Sequence, residues 1–74
     1  MRFKQFQSQD EVRNTLYLAL TNNKIRKTNL AMELSVSYPT ILSKLERPFS
    51  FSVSELLSVC EFVDLDINDL LIKY

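Results

Sequence analysis

A chain of 74 residues supports one small domain, and its 46% hydrophobic content is ample for a single core. It has no histidine and one cysteine, Cys60, which removes a histidine general base, a catalytic triad, a His-ligated metal, a disulfide framework and a cysteine-rich zinc site, so neither enzyme chemistry nor a cofactor is expected. Nine basic residues balance nine acidic ones, and zero net charge argues against a surface given over wholly to nucleic acid.

Residues 1–7, MRFKQFQ, have no helical period and read as an N-terminal arm or short strand ahead of one domain, residues 8–74. Ser8-Gln9-Asp10-Glu11 then fits a capping box, S-x-x-E before an apolar run. Val12, Leu16, Ala19 and Leu20 recur at helical spacing, which predicts a first helix from about Gln9 to Thr21. Asn22-Asn23-Lys24 should end it, because asparagine tolerates the left-handed conformation.

Ile25, Leu30, Ala31 and Leu34 give the next segment one apolar face, and a second helix is expected from about Lys27 to Leu34. Ser35-Val36-Ser37 leaves room for a turn and an N-cap, but not for a long loop. A third helix should begin between Ser37 and Pro39 and end at Leu45 or Glu46, with Ile41 and Leu45 inward. Pro39 disfavours helical angles at Tyr38 and so should delay the start by one residue, while Pro48 blocks continuation at the far end. Leu34 and Ile41 are expected to form the packing pair that sets the angle between these two helices.

A second capping box, Ser52-Val53-Ser54-Glu55, opens a fourth helix with the apolar face Leu56, Val59, Cys60 and Val63. Asp66 can cap a last short helix carrying Ile67, Leu70 and Leu71. The sum is an all-α fold of five helices, without internal repeat or low-complexity linker. Absent glycine and only two prolines also disfavour a hairpin-rich β fold. No apolar run approaches a membrane span and the N-terminus has no secretory h-region, so a cytoplasmic location is expected.

The charge is unevenly spread. Through Glu46 there are seven basic residues (Arg2, Lys4, Arg13, Lys24, Arg26, Lys27, Lys44) against four acidic, a surplus of +3. From Arg47 onward two basic residues face five acidic, a surplus of −3. Such polarity suits a basic face turned to phosphates, and it equally suits a solvated surface with uneven charge.

Two stretches carry a family resemblance. One is Leu30-Ala31-Met32-Glu33-Leu34-Ser35-Val36-Ser37, followed by Thr40-Ile41 and Leu45-Glu46-Arg47. The other runs from Ser52-Val53-Ser54-Glu55-Leu56-Leu57 through Phe62-Val63-Asp64-Leu65-Asp66-Ile67-Asn68-Asp69-Leu70-Leu71. In this order and separation they resemble the Cro/phage-repressor (XRE-type) helix-turn-helix family over roughly Val12 to Leu71. The resemblance implies a compact five-helix domain of lambda-repressor-like type.

It also implies a function: a small DNA-binding transcriptional regulator of phage or prophage type, acting as a homodimer on double-stranded DNA. Residues 38–46 would then lie in the major groove. Tyr38, Pro39, Leu42 and Ser43 would face the bases. Lys24, Arg26, Lys27, Thr40, Lys44 and Arg47 would meet the backbone.

Three departures from the family pattern stand out. Ser35 occupies the turn position where the family has glycine, which implies a strained left-handed residue. Arg26-Lys27 replaces the usual Ser/Thr-Gln at the start of the second helix, removing an N-cap and placing cations where they oppose the helix dipole unless a phosphate offsets them. The base-facing set contains no Arg, Lys, Asn or Gln, the residues that read base edges bidentately.

That last departure supports an alternative from a different class, a domain that grips a repressor or other protein through Tyr38, Pro39 and Leu42, as an antirepressor or modulator. Plainer readings stand beside both. Tyr38 can lie over a core rim and Leu42 can widen the core face. Phe49 and Phe51 can plug the end of the core or form a partner surface. Cys60 reads as inert packing, and Asp66 as a cap, since Asp64, Asp66 and Asp69 lack the glycine and bidentate glutamate of a calcium loop.

Overall fold

The structure, a computed structural model, describes residues 5–72, and the beginning of the expected arm, residues 1–4, lies outside it. Among the described residues the chain is all-α: α1 (Gln9–Asn22), α2 (Lys27–Glu33), α3 (Tyr38–Glu46) and α4 (Val53–Phe62), with 3₁₀ turns at Pro48–Ser50 and Ile67–Leu70. The expected fifth helix is therefore a single 3₁₀ turn. Asp66 does cap it, accepting from the Asn68 N–H at 2.9 Å, but the backbone becomes extended at Leu71 (φ −98°, ψ 151°) and leaves the helix. There Leu71 forms an isolated antiparallel bridge with Phe6, flanked by Gln7 N–H to Leu70 C=O at 2.9 Å and Ile72 N–H to Gln5 C=O at 2.8 Å. Pairing with the N-terminal segment satisfies backbone groups that a further helical turn would otherwise have used.

The core is the set of faces expected from spacing. Val12, Leu16, Ala19 and Leu20 of α1, Leu30 and Ala31 of α2, Ile41 and Leu45 of α3, and Leu56, Val59 and Cys60 of α4 are all buried, joined by Phe51, Val63 and Leu70. Leu34 is an exception. It is the C-cap of α2 and only half-buried, so Leu30 and Ala31, not Leu34, are the buried residues that α2 brings to the shared core with Ile41. The two phenylalanines also separate: Phe51 is buried, whereas Phe49 is 50% exposed.

Side-chain capping fixes the starts of α1, α3 and α4. Ser52 Oγ accepts the Glu55 N–H while the Glu55 carboxylate accepts the Ser52 N–H, a complete capping box. At α1 only half of that exchange forms: Ser8 Oγ accepts the Glu11 N–H at 3.2 Å and donates to the Glu11 carboxylate. Ser37 caps α3, accepting from the Thr40 N–H. That cap outweighs the pre-proline preference, so α3 begins at Tyr38 and Pro39 occupies the first turn, where its missing N–H has no intrahelical acceptor to lose.

Three of the four helices end in one way. Lys24, Ser35 and Asp64 take left-handed angles (φ 55°, 56° and 57°) just after α1, α2 and α4. In each, that residue's N–H donates back three residues, to Thr21, Met32 or Glu61, and the following N–H donates back five, to Leu20, Ala31 or Cys60. These are Schellman closures, and the residue that completes each one is apolar (Ile25, Val36, Leu65) and packs against the core. At α1 the left-handed residue is Lys24 rather than an asparagine. Asn23 instead keeps φ −96° and donates its amide to the Ala19 carbonyl at 2.9 Å and the Val63 carbonyl at 2.8 Å, tying the ends of α1 and α4 together.

Candidate nucleic-acid interface

α2 and α3 pack on each other across the short connection Leu34–Ser37, with Ser35 making the left-handed turn. Leu30, Ala31, Ile41 and Leu45 bury their inner sides. What remains outside on α3 is Tyr38 (45% exposed), Pro39 and Ser43, with Leu42 and Thr40 half-buried. Thr40 Oγ1 lies 2.8 Å from Ser37 Oγ, so its hydroxyl already serves the helix cap.

α3 is held at three points. At its start Ser37 caps it. Near its end, Lys44 Nζ reaches both oxygens of Glu55 on α4 at 2.9 Å and lies 5.8 Å from the Phe51 ring centroid. At its C-terminus the Arg13 guanidinium of α1 donates to the Glu46 carbonyl at 3.2 Å and lies 3.5 Å from the Glu46 carboxylate, and it also pairs with Asp10 at 2.8 Å. A cation at that end also complements the helix dipole. These contacts fix the direction in which Tyr38, Pro39 and Ser43 face.

The cations differ in how free they are. Lys24 and Arg26 are exposed and, among the described residues, make no ion pair or side-chain hydrogen bond. Lys27 is half-buried, its Nζ 4.8 Å from the centroid of the Tyr17 ring. Together with Tyr17, Leu20, Thr21 and Ile25 they line an open cleft of about 530 Å³ between α1 and the start of α2. Arg26 is the N-cap of α2 and makes no side-chain cap, which leaves the first N–H groups of that helix without a side-chain partner. Arg47 is exposed beyond the end of α3. Lys44, in contrast, is committed to Glu55.

Tyr17 joins these parts, and spacing gave no sign of it. Its ring lies under Lys27 of α2, and its hydroxyl donates to Glu46 of α3 at 3.2 Å. Burial, with the Glu46 carboxylate beside it, pushes the Tyr17 phenol above its ordinary range. Its partners are 10 and 29 residues away, so no local pattern could have found the contact.

The Glu55 carboxyl is held below the usual range, first by the Ser52 backbone N–H and then by the Lys44 ammonium. A carboxylate whose folded pKa is lowered adds stability that is present above the unfolded value and lost as pH falls through the folded one. Acidification below about pH 4–5 should therefore cost the parent more stability than Glu55→Gln. Urea midpoints for the two proteins at neutral and acid pH measure it, and equal acid losses would show that the contacts of the Glu55 carboxylate with the Ser52 N–H and Lys44 together contribute nothing.

No model of a known protein family, no curated protein and no solved structure matches this chain. Among the described residues, no helix is long and apolar enough to cross a membrane.

Proposed function

We propose that this chain is a small cytoplasmic DNA-binding regulator of helix-turn-helix, lambda-repressor-like type, without enzymatic activity, in which α2 and α3 form the motif and α3 enters the major groove. The observation that carries the reading is the gathering of Lys24, Arg26 and Lys27 at one cleft beside the start of α2, with the first two unpaired among the described residues. Cations opposing a helix dipole cost stability, and a phosphate between them offsets that cost. The fixed orientation of α3 supports the same reading, since base contacts depend on a rigid mount. A phage or prophage repressor acting on a two-fold operator, with half-sites about 34–36 Å apart, fits a protein of this size.

The contacts refine the roles. Arg26, Lys27 and Arg47, with Lys24, act through phosphates, and Tyr38 and Ser43 supply single polar contacts to the bases. Lys44 positions α3 through Glu55. Each phosphate contact removed lowers the slope of log K against log salt by about 0.9. The Arg26→Ala/Lys27→Ala double variant should therefore bind all duplex sequences more weakly, with a slope smaller by about 2. Binding measured across a salt series checks this, and an unchanged slope in a folded double variant removes these residues from the interface.

One observation favours a second reading. With Lys44 bound to Glu55, no free cation remains on α3, and Tyr38 and Pro39 stand exposed with Leu42 half-buried beside them. A protein partner, such as a repressor that this chain modulates, would be gripped by that surface. Its binding would be nearly insensitive to salt and lost in Tyr38→Ala, since truncating an interface anchor typically costs above about 2 kcal/mol. A pull-down with and without nuclease, using parent and Tyr38→Ala, separates the two readings.

A further inference from the structure

What α3 can recognise depends on which of its groups are free, and two of its polar side chains are already engaged. The Thr40 hydroxyl lies 2.8 Å from Ser37 Oγ and serves the helix cap. The Lys44 ammonium holds both Glu55 oxygens at 2.9 Å. Tyr38 and Ser43 remain as exposed residues carrying hydroxyls. A hydroxyl both donates and accepts, so it suits several base edges and discriminates little among them. The rest of the outward face is apolar: the Tyr38 ring, exposed Pro39 and half-buried Leu42. Tyr38 and Leu42 are four residues apart on α3, and Pro39 and Leu42 three, so all three lie along one strip of the helix. Exposed cations bracket this strip in the chain, Lys24 and Arg26 before α2 and Arg47 after α3. Such a surface suits a polyanion that also offers apolar groups.

We propose that α3 recognises DNA through the C5 methyl groups of thymine in the major groove. The proposal rests on the DNA-binding reading and names the feature of the duplex that α3 reads. Base edges in the major groove present hydrogen-bonding groups, and the thymine methyl is the apolar exception. Bidentate reading of the other groups needs Arg, Lys, Asn or Gln, and the one such residue on α3, Lys44, is bound to Glu55. Apolar contact is then what separates a T·A pair from the others. Burying one methyl against Pro39 or Leu42 gains roughly fourfold in affinity. Pro39 sits in the first turn behind the Ser37 cap, and its ring fixes its own backbone angle, so that contact costs little ordering. The same methyl occurs at the same ring position in 5-methylcytosine, and α3 should respond to it as well.

The test offers the parent a pool of random-sequence DNA duplexes and resynthesises the recovered site with deoxyuridine for thymine, which removes only the methyls. Deoxyuridine should weaken binding by about fourfold per contacted thymine. The salt slope should not change, because the phosphates are the same. At a contacted position, a pair with 5-methylcytosine should bind more tightly than one with cytosine. Base methyls also alter the shape and stiffness of the duplex, so the thymine and deoxyuridine duplexes are compared with Leu42→Ala and Pro39→Ala as well. Each variant, its fold checked by far-UV circular dichroism, should show a smaller deoxyuridine penalty than the parent. If one variant fails to fold the other makes the comparison, and the 5-methylcytosine measurement needs the parent alone. Equal affinity of the parent for the thymine and deoxyuridine duplexes overturns the proposal and leaves DNA binding standing. A penalty undiminished in the variants belongs to the DNA alone and overturns it too. A parent that recovers no duplex from the pool overturns the DNA-binding reading, and this proposal with it.

Discussion

Replacing Ile41 by alanine should lower the melting temperature by about 10 °C or more, the largest loss expected from any single truncation considered. Ile41 is fully buried on α3, within the cluster that includes Leu30, Ala31 and Leu45. Isoleucine-to-alanine changes at such sites cost about 2–5 kcal/mol, because the lost transfer energy is compounded by a cavity that neighbours fill only in part. A domain of this size has a total stability of about 4–11 kcal/mol, so the variant sits near the edge of folding. Each kcal/mol shifts the midpoint of so small a domain by about 4–8 °C. Leu34→Ala is the comparison: Leu34 is half-buried at the end of α2 and should cost clearly less. Melts of both variants check the ranking, and equal shifts would mean that the α2–α3 packing does not centre on Ile41.

The second large effect is a gain. A chain without glycine closes three helices with left-handed Lys24, Ser35 and Asp64. An L-residue there crowds its Cβ against the backbone at a cost of about 1 kcal/mol, part of which glycine returns as extra freedom when unfolded. Lys24→Gly, Ser35→Gly and Asp64→Gly should each stabilise by about 0.3–1 kcal/mol. The sites lie at the ends of three different helices and should add, giving roughly 1–3 kcal/mol for the triple variant. Urea unfolding measures the sum. A triple variant no more stable than the parent would show that the closures are not strained.

How much of this was legible follows from the range of each interaction. The four long helices are written locally. Ser8, Ser37 and Ser52 cap from adjacent sequence, and the apolar periodicity of Val12 to Leu20 and Leu56 to Val63 names the buried faces directly. The terminal segment was legible in part: Asp66 caps a short helical turn as expected, but Asp66 to Leu71 is too short for periodicity to tell one 3₁₀ turn from an α-helix, and the bridge to Phe6, far away in the chain, takes Leu71 out of it. Phe49 and Phe51 sit two residues apart with similar hydrophobicity, and only the turn at Pro48–Ser50 sends one in and the other out. At the candidate site, the cations Lys24, Arg26 and Lys27 could be named from charge distribution. Lys44 could not be set apart from them, because its partner Glu55 is a tertiary contact across 11 residues.

The burial of Cys60 has a consequence for how the protein meets oxidants. The thiol is 3% exposed, and burial, with Asp66 and Asp69 adding to it, pushes its pKa up to about 11. Only the thiolate attacks peroxide or a disulfide, and at neutral pH almost none is present in the folded chain. Any covalent cross-link between two copies would require α4 to open first. Cross-linking of the folded protein through Cys60 should therefore stay negligible in reducing and oxidising surroundings alike.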